Sequence, residues 1–350
     1  MLKTLKVKNY SVFDEATIDW APGLNVIVGE NGTGKSQLMK LAYSLAWVSH
    51  TQSRSQRQTK DELQKKIADK LVATCRPEYL GRLVSRKRGR NRCDVSVRFV
   101  SPPNSGMKFS FATNSRSEVK IERSPVNYLD AAPVYIPTRE MLSIFPGFIS
   151  AYEERHLEFE ETYYDIAKSL NAAARRKHEE DVQILIDEFE DLLDGHIRLE
   201  AGHFYLHPNK AGQGKIEIHL VAEGMRKLAM LAYLLINGAL RNRGTLFWDE
   251  PETNLNPKLM VQVAKALVAL AAQGYQVVLA THSLFLLREL SIQLESVESK
   301  ANFIGLRRDQ EGGVELQQAE SVEDIEPLLL LDEDLRQSDR YLALSSMSLT

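Results

Sequence analysis

Apolar residues recur along this chain in two rhythms. Leu24-Asn-Val-Ile-Val28 is a short apolar run that predicts a buried strand. Lys35–Ser49 carries Leu38, Leu41, Ala42 and Leu45 at helical spacing. A Gly-rich turn separates the two, so this unit reads strand–loop–helix. Farther along, Met225–Leu240 reads as an apolar helix closing near Arg241–Gly244, and Thr245–Trp248 as a buried strand. Pro257–Ala272 is a helix opened by proline. Gln276–Ala280 follows as a strand, Ser283–Leu290 as a helix and Asn302–Leu306 as a final core strand. Strands alternating with helices predict an α/β fold whose mainly parallel sheet is covered on both faces.

The middle of the chain has a different pattern. Residues 50–92 are strand-poor, 93–123 alternate as antiparallel strands do, and 150–194 are helical without sustained heptads. This part reads as a compact helical subdomain inserted into the fold. The boundaries follow: 1–49 an N-terminal lobe, 50–220 an insertion and lid region, 221–332 a C-terminal lobe, and 333–350 a polar, loosely held tail.

Composition refines the picture in two places. At 350 residues, with 43% hydrophobic and 26% charged, the chain is an ordinary globular one. The net charge of −3 excludes a globally basic protein but conceals two blocks. Residues 50–92 hold thirteen Lys and Arg against four acids, and residues 150–194 hold fourteen acids against five bases. Such blocks form solvated helix faces, or, for the basic one (54–92, densest at Arg86–Arg90), an electrostatic footprint for nucleic acid. No apolar run reaches membrane-spanning length, no signal-peptide core is present, and Cys75 and Cys93 cannot build a disulfide framework. A cytoplasmic protein with no membrane association is expected.

The chemistry sits at the turns. Gly29-Glu-Asn-Gly-Thr-Gly-Lys-Ser36 fits the phosphate-binding pattern G-x-x-x-x-G-K-[ST], between a strand and a helix as that pattern requires. Asn31, Gly32, Thr33 and Gly34 would cradle phosphates with backbone N–H groups at a helix N-terminus. Lys35 would reach the β- and γ-phosphates, and Ser36 would ligate Mg²⁺. Asp249, ending the second buried strand, is placed to hold the same Mg²⁺, and Glu250 to polarise an attacking water. His196, His203 and His207 have a loose metal-ligand look, but Gly202 and Pro208 break any shared helical face. Tyr10, Phe13 and Trp20 are candidates for stacking on a base, with core packing as the plainer reading.

These residues together resemble an ABC-type (P-loop) ATPase of the SMC/RecF/OLD branch, specifically the small stand-alone bacterial AAA-family ATPases of anti-phage defence. The resemblance rests on Leu5–Phe13, the phosphate loop, Tyr135-Ile-Pro-Thr-Arg-Glu140, Ala222-Glu-Gly-Met-Arg-Lys227, Asp249–Pro257 and Thr281-His282. It implies ATP and Mg²⁺ as ligands, with ATP sandwiched between two copies of the chain. Catalysis would fall to Glu250, Lys35 and His282, the last sensing the γ-phosphate. The signature segment of the second copy would contribute Gly224 and the charge of Arg226 or Lys227. The usual signature serine is Ala222 here. Asn254, Leu255 and Asn256 would communicate between the two sites, and Pro137–Glu140 stands where a Mg²⁺-sensing loop is usual.

The resemblance further implies a homodimer or higher oligomer that regulates a separately encoded effector, a nuclease or toxin. Only 68 residues follow His282, so a nuclease domain at that end is not expected. A DNA-binding repair or maintenance ATPase is the alternative. A transporter subunit is disfavoured by the SMC-like sequence after Glu250.

Overall fold

The computed structural model describes the chain except residues 56–58, 86–88, 156, 298, 310–311, 327–332 and 342–350. The chain opens with β1 (Leu2–Tyr10), β2 (Phe13–Asp19), β3 (Leu24–Gly29), α1 (Lys35–Ser53) and α2 (Lys60–Cys75). Strands β4 (Arg92–Phe99), β5 (Met107–Ala112), β6 (Lys120–Arg123) and β7 (Val134–Ile136) come next. Helices α3 (Phe148–Arg155), α4 (Glu161–Leu170) and α5 (Glu180–Leu193) precede β8 (Gly195–Glu200), β9 (His203–Pro208) and β10 (Ile216–Glu217). The remainder is α6 (Glu223–Ile236), β11 (Thr245–Asp249), α7 (Pro257–Ala272), β12 (Gln276–Thr281), α8 (Leu284–Leu294), β13 (Ala301–Arg308) and β14 (Val314–Ala319).

The expected α/β architecture is present. A six-stranded sheet runs β14-β13-β3-β12-β11-β7, parallel except for β14 at one edge. Alternation along its strands divides the core. Val26, Val28, Trp248, Val277 and Leu279 face a cluster built largely from α4 to α8. Ile27, Tyr135, Phe247, Val278 and Ala280 face α1, α2 and a second, antiparallel sheet of order β2-β1-β4-β5-β6. Because both faces are buried, these strands are continuously apolar rather than alternating. Tyr10, Phe13 and Trp20 lie in this second cluster and are core residues.

Several features depart from the sequence expectation. Helix α6 stops at Ile236, not Leu240: Gly238 turns the chain at φ 78° and Leu240 N–H bonds back to Leu234 O at 3.2 Å. Asn302–Leu306 lies in β13, the last strand with a buried run, and β14 adds a largely unburied antiparallel edge beyond it. β4 pairs directly with β1, and β5 and β6 continue the same sheet, so residues 92–123 extend the N-terminal lobe past residue 49. The acidic helices are built into the main core: Leu185, Ile186, Phe189 and Leu193 of α5 join one cluster with Leu228 and Leu231 of α6. Residues 195–208 form a hairpin, turned by Ala201 and Gly202 at positive φ. His196 and His207 pair across it but are bound by Glu190 (2.8 Å) and Glu200 (2.9 Å), and no metal-holding group of three occurs among the described residues. In the tail, 333–341 is helical and Asp334 contacts Arg288.

The two charge blocks meet. Lys70 of α2 is buried, stacked on Trp47 at 3.8 Å, and paired with Asp165 and with Glu161 at 3.0 Å. Lys40 pairs with Glu160, and Tyr43 Oη–H donates to Asp165 at 2.6 Å. Part of each block is therefore an internal seam between α1, α2 and α4. Arg82 pairs with Glu78, and Arg92 with Asp94 and Glu122. Arg86, Lys87 and Arg88, within the densest basic stretch, lie outside the described residues.

Candidate nucleotide site

Parallel pairing brings the chemistry to one edge of the sheet. Asp249 stands level with Ala280, and Ala280 with Ile27. Gly29 is level with Leu306, so the loops after β3, β11 and β12 leave the sheet side by side. This is the carboxyl edge, where open α/β sheets bind ligands.

The phosphate loop needs its glycines for two reasons. Gly34, the N-cap of α1, sits at φ 92°, and a Cβ there would lie 2.7 Å from Val12 and 2.8 Å from Phe13. Gly32 sits at φ 79°, with its carbonyl accepting a bond from Arg308 at 3.2 Å. Asn31 is exposed, whereas Thr33 is buried with its hydroxyl on Glu30 O at 2.8 Å. Lys35 is nearly buried and folds back onto the carbonyls of Gly29 (2.8 Å) and Glu30 (2.9 Å). Burial lowers its pKa, opposed by the charges of Glu250, Asp249, Glu252 and Glu30. A cation held by two carbonyls and surrounded by carboxylates is suited to exchange those partners for phosphate oxygens.

Ser36 donates its hydroxyl to Asp249 Oδ1 at 3.1 Å, and Tyr135 donates to Oδ2 at 3.1 Å. Burial raises the Asp249 pKa, although both hydrogen bonds act to lower it. A desolvated carboxylate beside a serine hydroxyl is a donor set for a hard, oxygen-seeking cation, and Mg²⁺ fits it.

Glu250 occupies left-handed backbone at φ 49°, fixed by its N–H on Ala280 O at 2.9 Å. Its carboxylate lies 3.4 Å from His282 Nδ1 and 3.4 Å from Thr253 Oγ1. Glu252 is buried and accepts from Thr281 Oγ1 (2.6 Å) and the His282 N–H (3.0 Å), seating the histidine backbone while leaving the ring about half exposed. The structure thus gathers Lys35, Ser36, Asp249, Glu250 and His282.

Gly224 and Arg226 are placed differently. Gly224 is buried against Leu255 and α7: a Cβ would meet Leu259 Cδ1 at 2.5 Å and Leu255 Cδ2 at 2.7 Å, so a larger residue would have to push those two side-chain tips aside. The Arg226 guanidinium bonds Glu140 Oε1 and Val221 O, both at 2.7 Å. Lys227 is buried on Pro251 O and Thr253 O. Both cations expected to face a ligand are therefore engaged within the chain. Glu140 also binds Ser143, so the loop after β7 is tied to α6. Asn254 bonds Glu223 at 3.0 Å, and Asn256 caps α7 through Leu259 N–H.

Tyr135, Glu252 and Arg308 escaped assignment from sequence. Tyr135 had one signal, its place in a strand of the resemblance. Its phenol reaches Asp249 only because β7 pairs with β11 in the register Tyr135↔Phe247. Glu252 and Arg308 carry no spacing that marks them.

Comparison with known proteins bears on the fold and the family. The structure superposes on the Smc head bound to the C-terminal winged-helix domain of ScpA with a TM-score of 0.56. The match has 16% identity and covers 92% of this chain and 98% of that one. An Smc head with an extended coiled coil, bound to the C-terminal domain of ScpA from Pyrococcus furiosus, gives 0.52 at 13% identity, covering 96% and 99%. These likenesses establish the fold. The DNA replication and repair protein RecF of Staphylococcus haemolyticus is 42% identical over 45 residues, 13% of this chain and 12% of RecF. RecF of Staphylococcus aureus matches to the same extent, so the shared stretch spans about an eighth of those relatives. Residues 72–288, more than half the sequence, match the family model described as "AAA domain, putative AbiEii toxin, Type IV TA system". The chain belongs to this AAA-domain family and has a fold like that of the Smc head.

Proposed function

We propose that the chain binds ATP with Mg²⁺ at this site, hydrolyses it to ADP and phosphate, and acts as a homodimer or higher oligomer that regulates a separately encoded effector in bacterial anti-phage defence. The observation that carries the reading is the convergence of Lys35, Ser36, Asp249, Glu250 and His282 on one sheet edge. Mg²⁺ held by Ser36 and Asp249 would offset charge on the phosphate oxygens. Lys35 moves from its two carbonyls to the terminal phosphates. Glu250, with fixed backbone, accepts a proton from the attacking water, and His282 completes the far side. The toxin–antitoxin wording of the family description supports an effector pairing.

Lys35→Ala is expected to abolish nucleotide binding, read by equilibrium binding. Glu250→Gln is expected to keep binding and slow phosphate release roughly 10²–10⁴-fold. Wild-type turnover in both variants refutes the assignment.

A second reading, a DNA-binding ATPase of repair or maintenance, is supported by the RecF stretch and the SMC-head fold. Salt-dependent DNA affinity of the isolated chain, lost on charge reversal within 54–92, distinguishes it from the first.

A further inference from the structure

Lys227 occupies a position that its chemistry alone does not explain. It is among the largest fully buried side chains, at 1% exposure, at the point in α6 where the charged first turn gives way to an apolar run. Its ammonium lies 2.6 Å from Thr253 O and 3.3 Å from Pro251 O. Those carbonyls belong to the loop that leaves β11 immediately after Asp249. The loop turns twice through left-handed backbone, at Glu250 (φ 49°) and Asn254 (φ 61°). Two short-range bonds brace it, Thr253 N–H to Glu250 O at 3.2 Å and Leu255 N–H to Glu252 O at 3.0 Å. Alternate carbonyls of the loop, those of Pro251 and Thr253, thus converge on the ammonium, and without it they would lose this donor.

Burial lowers the Lys227 pKa, while Glu223, Glu252, Glu140 and Glu250 act to keep it charged. Holding a charge here is expensive, so the contact is specific to the loop rather than generic core filling. The Glu250 side chain is held more loosely: among the described residues its contacts to Thr253 and His282 are both 3.4 Å.

We infer that Lys227 is a positioning residue for Glu250: it clamps the Pro251 and Thr253 carbonyls from α6, fixing the strained backbone that aims the carboxylate. Gly224, pressed on Leu255 and Leu259, and the Glu223–Asn254 bond fasten the same loop to the same helix one turn earlier. The first turns of α6 and the catalytic loop therefore move as one body. In the dimer proposed above, whatever a second copy's nucleotide does to α6 reaches Glu250 through this clamp. The inference rests on the water-activating role of Glu250.

The test is a double-mutant cycle in the full chain, measured by steady-state ATP hydrolysis. Lys227→Met keeps the side-chain length and removes the clamp. It is expected to lower kcat about tenfold or more, leave KM for ATP within about twofold, and change the residual rate of Glu250→Gln by less than about twofold. If Lys227→Met does not fold, Lys227→Gln, which keeps one donor, is judged by the same criteria. A kcat within about twofold of wild type overturns the inference, as does an equal fall in both backgrounds, the signature of a general structural role. Failure of the underlying reading looks different, because Glu250→Gln alone would then turn over like wild type.

Discussion

Asp249 shows how a single residue is held at odds with its surroundings. Its carboxyl is buried between a serine hydroxyl and a tyrosine phenol, and its pKa is raised by burial. The sign of the effect on stability follows. Below the ordinary aspartate pKa the group is protonated folded and unfolded, and contributes nothing. As pH rises through the interval up to the elevated folded value, the unfolded chain gives up its proton first and stability is lost. Above the folded value the full penalty applies, and a bound cation would relieve it. Asp249→Asn, whose oxygen can accept from one hydroxyl while its N–H donates to the other, is expected to melt about 1–2 °C above wild type at pH 7 in chelator, for a gain of roughly 1 kcal/mol. The advantage should shrink as pH falls toward 4, while hydrolysis is lost. Equal or lower melting at pH 7 shows that the hydrogen bonds outweigh burial. Glu250 is held against its own preference in a different way, by neighbours that maintain its left-handed backbone.

Among elements, the seam between α2 and α4 is the feature that composition disguised. Lys70 is inaccessible and flanked by Glu161 and Asp165, with Tyr43 donating to Asp165. Burial raises the Glu161 pKa, and Lys70 acts to lower it. Removing the lysine would strand two carboxylates in a largely desolvated place. Lys70→Ala is therefore expected to destabilise the chain by about 3–5 kcal/mol, read as a fall in the urea midpoint. Loss of less than about 1 kcal/mol would place the pair in the class of surface salt bridges. This seam joins α2, which belongs to the antiparallel lobe, to α4, which packs on the other cluster, so it also fixes how the two halves of the core meet.

For the whole molecule, one consequence concerns assembly. Arg226 and Lys227 are engaged within the chain, so they are not free to supply charge to a nucleotide on a second copy. Backbone N–H groups at the N-terminus of α6, where Ala222 is the uncapped N-cap, remain a means of contact. If two copies close over ATP, Glu250→Gln, which binds without rapid turnover, should shift from monomeric to dimeric mass with Mg²⁺-ATP in light scattering. An unchanged mass at high protein concentration excludes closure driven by nucleotide alone and makes assembly depend on another component.

Local order was legible in the residues themselves. The phosphate loop and the Asp249–Glu250 strand end could be read because each is a short motif at the end of a buried strand, whereas His282 was marked only by the family resemblance. Pro257–Ala272 could be bounded to the residue because Asn256 and Pro257 mark its start chemically. Apolar periodicity likewise determined that the sheet is parallel and doubly covered. What only the tertiary structure decided is which charged groups find partners. Lys70 meets Asp165 across 95 positions of sequence, and Arg226 meets Glu140 across 86. Periodicity cannot encode such pairs, because they depend on strand order and on which helix crosses which face. The same reason hid Tyr135, whose value lies in the register of β7 on β11, and Lys227, which looks like a free cation until the turn after β11 is folded around it.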